Sequence, residues 1–160
     1  MFSPEAITNI IRISLQPITT TKHQLYTESA EAILLMAAAH ESKLGEYNTQ
    51  IGGGTARGLY QVEIATMEDN YTNFINYKNG LNKEIEEISG VKGPDEYQLQ
   101  YNPIYGTIHA RLKLYRSPGA LPKPYDTVAM SEYLKKYFNT SGGKARAEDY
   151  FLAYHHLVLV

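Results

Sequence analysis

Eight consecutive apolar residues, Ala32-Ile-Leu-Leu-Met-Ala-Ala-Ala39, constrain this chain more than any other stretch. Alanine, leucine and methionine favour helix, and Thr27 stands where its side chain can cap the first turn. Glu28 and Glu31 sit near the positive end of the helix dipole. A helix that is apolar nearly all round has no face to offer water, so it must lie at the centre of a core. The run is far too short to span a bilayer, which needs about 20 apolar residues.

The rest of the chain supplies helices to pack around it. Residues 4–14 space Ala6, Ile7, Ile10 and Ile11 as an amphipathic helix that Pro17 ends. Further helices are expected over 64–77, 81–89, 104–115, 127–138 and 145–158. Loops are expected at Gly45–Gly54, rich in glycine at Gly52-Gly-Gly54, at the Gly90–Pro94 turn, at the proline-bearing connector 117–124, and at the Thr140-Ser-Gly-Gly143 break. No period-2 pattern marks a strand, and neither a repeat nor a linker divides the chain. The expected fold is all-α, one domain over residues 1–160, with a central buried helix beside a cleft.

Composition excludes several classes of function. There is no cysteine, so disulfides, thiol catalysis and most structural zinc sites are absent. The formal charge of −2 lacks the basic surplus of a nucleic-acid binder. Adjacent His155 and His156 point about 100° apart on a helix, so neither a metal nor another cofactor is expected. The 14 tyrosines, with no tryptophan, provide rings that can stack on sugars and hydroxyls that can bond to them. Pro4 and Glu5 interrupt any leader-like pattern at the N-terminus, so no signal peptide is expected.

Glu41 closes the apolar run at its C-terminal end. Burial and the negative end of a helix dipole both raise a carboxyl's pKa, and a general acid working near neutrality needs that. Lys43 stands close enough in sequence to oppose the shift. After the glycine-rich loop comes Gly58-Leu-Tyr-Gln61, 17 residues beyond Glu41. Gly58 lets backbone approach a ligand, and Gln61 offers both a donor and an acceptor, so this turn reads as the opposite lip of a cleft. Glu84, Glu86 and Glu87 read as a solvated helix face.

Glu41-Ser42 followed by Gly58-Leu59-Tyr60-Gln61 resembles the two leading motifs of the lytic transglycosylase branch of the lysozyme superfamily. Asn102-Pro103-Ile104 with Gly106 and Leu112 resembles that family's next segment. Ala153-Tyr154-His155 resembles its closing Ala-Tyr-Asn motif, with His155 in the asparagine position. Glu41-Ser-Lys-Leu-Gly45, Gly58 to Glu63 with Ala65-Thr66, Ala110-Arg111-Leu112 with Tyr115-Arg116, and Tyr137 to Thr140 with Gly143-Lys144 resemble lysozyme-like proteins of bacteriophage particles. The likeness covers residues from about 30 to 155.

The resemblance implies cleavage of peptidoglycan between N-acetylmuramic acid and N-acetylglucosamine, with Glu41 as acid and then base and a 1,6-anhydro product. It implies substrate contacts from Ser42, Thr55 (or Thr49), Gly58, Tyr60, Gln61 and Tyr154, with Tyr154 near Glu41. The expected partners are the glycan strand and other virion proteins, with no nucleic acid and no membrane span. The expected location is the phage particle, or the host wall and periplasm after delivery. Two alternatives stand beside it. One is a hydrolytic phage lysozyme, which needs a second acid such as Glu46, Glu63 or Asp69. The other is a virion structural or ejection protein that keeps the fold without the activity.

Overall fold

In the computed structural model, residues 1–49, 53–139 and 143–160 are described. Gln50-Ile-Gly52 and Thr140-Ser-Gly142 lie outside them, so parts of both expected glycine-bearing loops do too. Among the described residues the helices are α1 (Pro4–Leu15), α2 (Glu28–Ser42), α3 (Ile64–Asn73), α4 (Leu81–Ser89), α5 (Glu96–Tyr101), α6 (Pro103–Tyr115), α7 (Thr127–Tyr137) and α8 (Ala147–Leu157). None is long and apolar enough to cross a membrane.

The apolar run is buried, as its composition demands. Every residue from Ile33 to Ala39 is buried, and α2 packs against α1, α6, α7 and α8. Thr27 Oγ1 accepts the Ala30 N–H at 3.0 Å, and the helix closes when the Leu44 N–H reaches the Ala38 carbonyl at 3.0 Å. Ser3, Asp95, Asn102 and Asp126 cap α1, α5, α6 and α7 in the same way, each satisfying one otherwise orphaned backbone N–H. One continuous apolar cluster runs from Ile7 on α1 to Tyr154 on α8.

Three features depart from the sequence reading. The helix expected over 64–77 ends at Asn73 and tightens into a 3-10 turn, Ile75–Tyr77. The short helix α5 follows the 90–94 turn, and its six residues are too few to carry a periodic signal. A two-residue antiparallel pair, β1 (Ala56–Arg57) with β2 (Val62–Glu63), folds Gly58–Gln61 into a hairpin tip. Strands this short show no alternation; their pairing follows from the turn between them.

Candidate functional site

Glu41 lies in the last turn of α2, partly exposed at its surface but with its carboxyl packed among helices. Its pKa is pushed up from 4.5 to about 7, chiefly by burial. A hydrogen bond from Tyr150 and the charge of Lys113 act in the opposite direction without prevailing. Tyr150 on α8 donates its hydroxyl to Glu41 Oε2, and no described residue bonds Oε1. His40 packs its ring on Tyr150 at 4.2 Å between centroids, and burial lowers its pKa, so it adds no fixed positive charge near neutrality.

The opposing cation is Lys113 on α6, not Lys43. Lys43 is exposed and rests over the Tyr47 ring, 5.5 Å from its centroid. The Lys113 ammonium donates to the Phe138 carbonyl at 2.5 Å at the end of α7, where that helix leaves its negative dipole end. Burial lowers the Lys113 pKa, while Glu41 and Glu63 both hold it up. Lys113 therefore lies within electrostatic reach of both carboxyls. It also lines a groove of about 410 Å³ whose walls include Thr66, Asn70, Arg116 and Tyr137.

The second expected tyrosine sits elsewhere. Tyr150 and Tyr154 share a face of α8, one turn apart, and α8 brings Tyr150 to Glu41. Tyr154, 6% exposed, lies where Glu31 near the start of α2 influences it. The hydroxyl bonded to Glu41 is that of Tyr150, one helical turn before the expected Tyr154. The i, i+4 pair is legible in the sequence, but which rung meets Glu41 depends on how far α8 slides along α2.

The Gly58–Gln61 turn is bound to the end of α2 from inside the protein. Ser42 is fully buried; its hydroxyl donates to the Leu59 carbonyl at 2.6 Å and accepts the Gly45 N–H at 2.8 Å. Tyr60 is buried as well, with its hydroxyl 2.9 Å from Thr107 Oγ1 on α6. Both hold the turn in place from the interior, so neither has a surface to offer a ligand in this conformation. Gly58 has φ +80°, and a Cβ there would stand 2.3 Å from the Leu99 carbonyl oxygen. The glycine serves this close approach to α5, not an approach to a ligand.

Gln61 is partly exposed, and its amide donates to the Gly58 carbonyl at 2.8 Å, leaving its oxygen for another partner. Thr55 is exposed beside the hairpin, and its hydroxyl donates to Glu63 Oε2. Thr49 pairs with Arg57 through an isolated backbone bridge. Among the candidate second acids, Glu46 is exposed, and Asp69 is held by Arg116 at 2.8 Å and by Asn73. Glu63 alone of the three shares Lys113 with Glu41.

No protein-family model, curated protein or solved structure matches this chain. The site holds a carboxyl whose pKa burial raises to about 7, with a phenol hydroxyl on one oxygen and no described residue bonded to the other. Such a group can give a proton to a poor leaving group, then recover it.

Proposed function

We propose that this chain cleaves the glycan strand of bacterial peptidoglycan between N-acetylmuramic acid and N-acetylglucosamine in a lysozyme-like cleft, as a lytic transglycosylase carried by a phage particle. The observation that carries the reading is Glu41: a carboxyl raised to about 7 by burial at the end of the buried helix α2. Protonated on Oε1, it gives that proton to the bridging oxygen as the glycosidic bond breaks. The carboxylate left behind accepts the Tyr150 hydroxyl and feels the Lys113 charge, so it is stabilised when it becomes an anion. It then takes the proton of the muramic C6 hydroxyl, which closes the 1,6-anhydro ring without water. An intramolecular nucleophile has an entropic advantage over water, and one carboxylate serves the whole cycle.

A hydrolytic course is the second reading, and Glu63 is the observation that favours it. It is tied to Thr55 and lies within electrostatic reach of the same ammonium as Glu41. A base at Glu63 could activate a water where a single carboxylate could not.

Mass spectrometry of digested peptidoglycan separates the two, because anhydro ends and reducing ends differ by one water. Mainly anhydro ends are expected from the native protein, and none from Glu41→Gln. Mainly reducing ends that vanish in Glu63→Gln establish the hydrolytic course. A folded native protein that releases no fragments from several wall types overturns both, and leaves a structural role in the particle.

A further inference from the structure

At the far end of α2 from Glu41 lies a feature that the proposed chemistry does not use. Arg111 on α6 is only 5% exposed, yet no described carboxylate pairs with it. Its Nε donates to the Leu25 carbonyl at 2.7 Å, and its guanidinium lies 5.6 Å from the centroid of the Tyr115 ring. No described residue accepts a hydrogen bond from either terminal nitrogen. Burial lowers its pKa to about 10, so it remains charged at neutral pH. A buried guanidinium without a counter-ion is costly, and proteins ordinarily supply one.

Arg111 lines a pocket of about 520 Å³ whose described walls include no Asp or Glu. Thr27, the cap of α2, and Ser29 in its first turn bring hydroxyls and the positive end of the helix dipole to the same space. Leu114, Ala120 and Leu121 form an apolar wall. With Nε committed to Leu25, the edge left free is the one formed by the two terminal nitrogens. That edge matches two oxygens of a planar carboxylate.

We propose that this pocket binds an organic carboxylate with an apolar substituent, the anion on Arg111 and the substituent against Leu114, Ala120 and Leu121. The site is independent of the glycan reading, because none of its residues touches Glu41 or the Gly58–Gln61 turn. The apolar wall favours a short-chain carboxylate over an inorganic anion, which would leave that wall wet.

The test is a titration of the full chain with acetate, hexanoate and inorganic phosphate, followed by amide chemical shifts and thermal melting. Hexanoate is expected to saturate shifts confined to residues 23–29 and 111–121, to raise Tm, and to bind at least about tenfold tighter than acetate. Arg111→Gln is expected to lose this binding. Leu121→Glu, at a half-exposed position, tests the site even if Arg111→Gln misfolds, because it supplies an internal carboxylate. It should abolish hexanoate binding while raising Tm. Phosphate binding tighter than hexanoate, hexanoate binding unchanged in a folded Arg111→Gln or Leu121→Glu, or no saturable shifts with any anion overturns the proposal.

Discussion

The hydroxyl of Tyr150 is committed to Oε2 of Glu41, across 109 residues of sequence, and leaves the other carboxyl oxygen open. The hydrogen bond favours the charged form of Glu41 and so lowers a pKa that burial raises. Tyr150→Phe removes the donor with little change in shape. Glu41 should then stay protonated to higher pH, and the alkaline limb of wall-clearing activity should move up. The maximal rate should fall, because the anion formed after proton transfer has lost its hydrogen bond. A pH–rate profile of the folded variant checks this; an alkaline limb that stays put or moves down counts against the pairing.

Glu41 also makes stability depend on pH. Its folded pKa, about 7, exceeds its ordinary 4.5, so the native state binds this proton more tightly than the unfolded chain does. That contribution is fully present below pH 4.5 and is lost as pH rises through 7. Above pH 7 the native protein therefore carries a penalty on the order of 3 kcal/mol that Glu41→Gln does not. Urea unfolding should show the variant matching wild type near pH 4 and exceeding it at pH 8, with no wall clearing at either. A stability difference that does not grow between these pH values would remove the case for a raised pKa.

His109 carries the opposite pH dependence. It is fully buried on α6, between the rings of Tyr71 and Tyr105, and burial drives its pKa down to about 3. Asn70 turns its amide oxygen to Arg116, so its NH₂ faces His109 Nδ1 at 3.1 Å and the ring is neutral with its proton on Nε2. The native state thus resists protonation. Its stability from this residue is complete above pH 6.5 and is lost as pH falls toward 3, at about 1.4 kcal/mol per pH unit. His109→Gln removes the titration, so the gap between wild type and variant should narrow as pH falls from 7 to 4. Parallel stability curves in urea would argue against a buried neutral histidine.

Gly58→Ala tests the hairpin tip. The new methyl meets the Leu99 carbonyl oxygen, and alanine must also hold a left-handed backbone. A cost of about 2–4 kcal/mol is expected, seen as a drop in Tm. Ser42→Ala should cost less, about 1–3 kcal/mol, by leaving the Leu59 carbonyl without its buried donor. A Gly58→Ala protein as stable as wild type would mean that the hairpin does not press on α5 in solution.

The residue order alone determines much of this protein. The apolar octet, the cap at Thr27 and the stop at Pro17 act within a few residues of chain. The buried helix α2, and the place of Glu41 in its last turn, were legible for that reason. The contacts that complete the site belong to distant segments, and local periodicity does not specify them. It marks Tyr150 and Tyr154 as one face of α8, but the packing of α8 on α2 sets which of them reaches Glu41. Lys43 is near in sequence and turns to solvent, whereas Lys113 is distant and is drawn in by the Phe138 carbonyl. Ser42 and Tyr60 read as residues facing a ligand, and the fold buries them because the Gly58–Gln61 turn needs internal hydrogen bonds to stay closed on α2. Arg111 gave no local signal of an anion pocket. Its burial arises from how α6 meets the start of α2, where tertiary packing buries a charge and no described residue answers its outer edge.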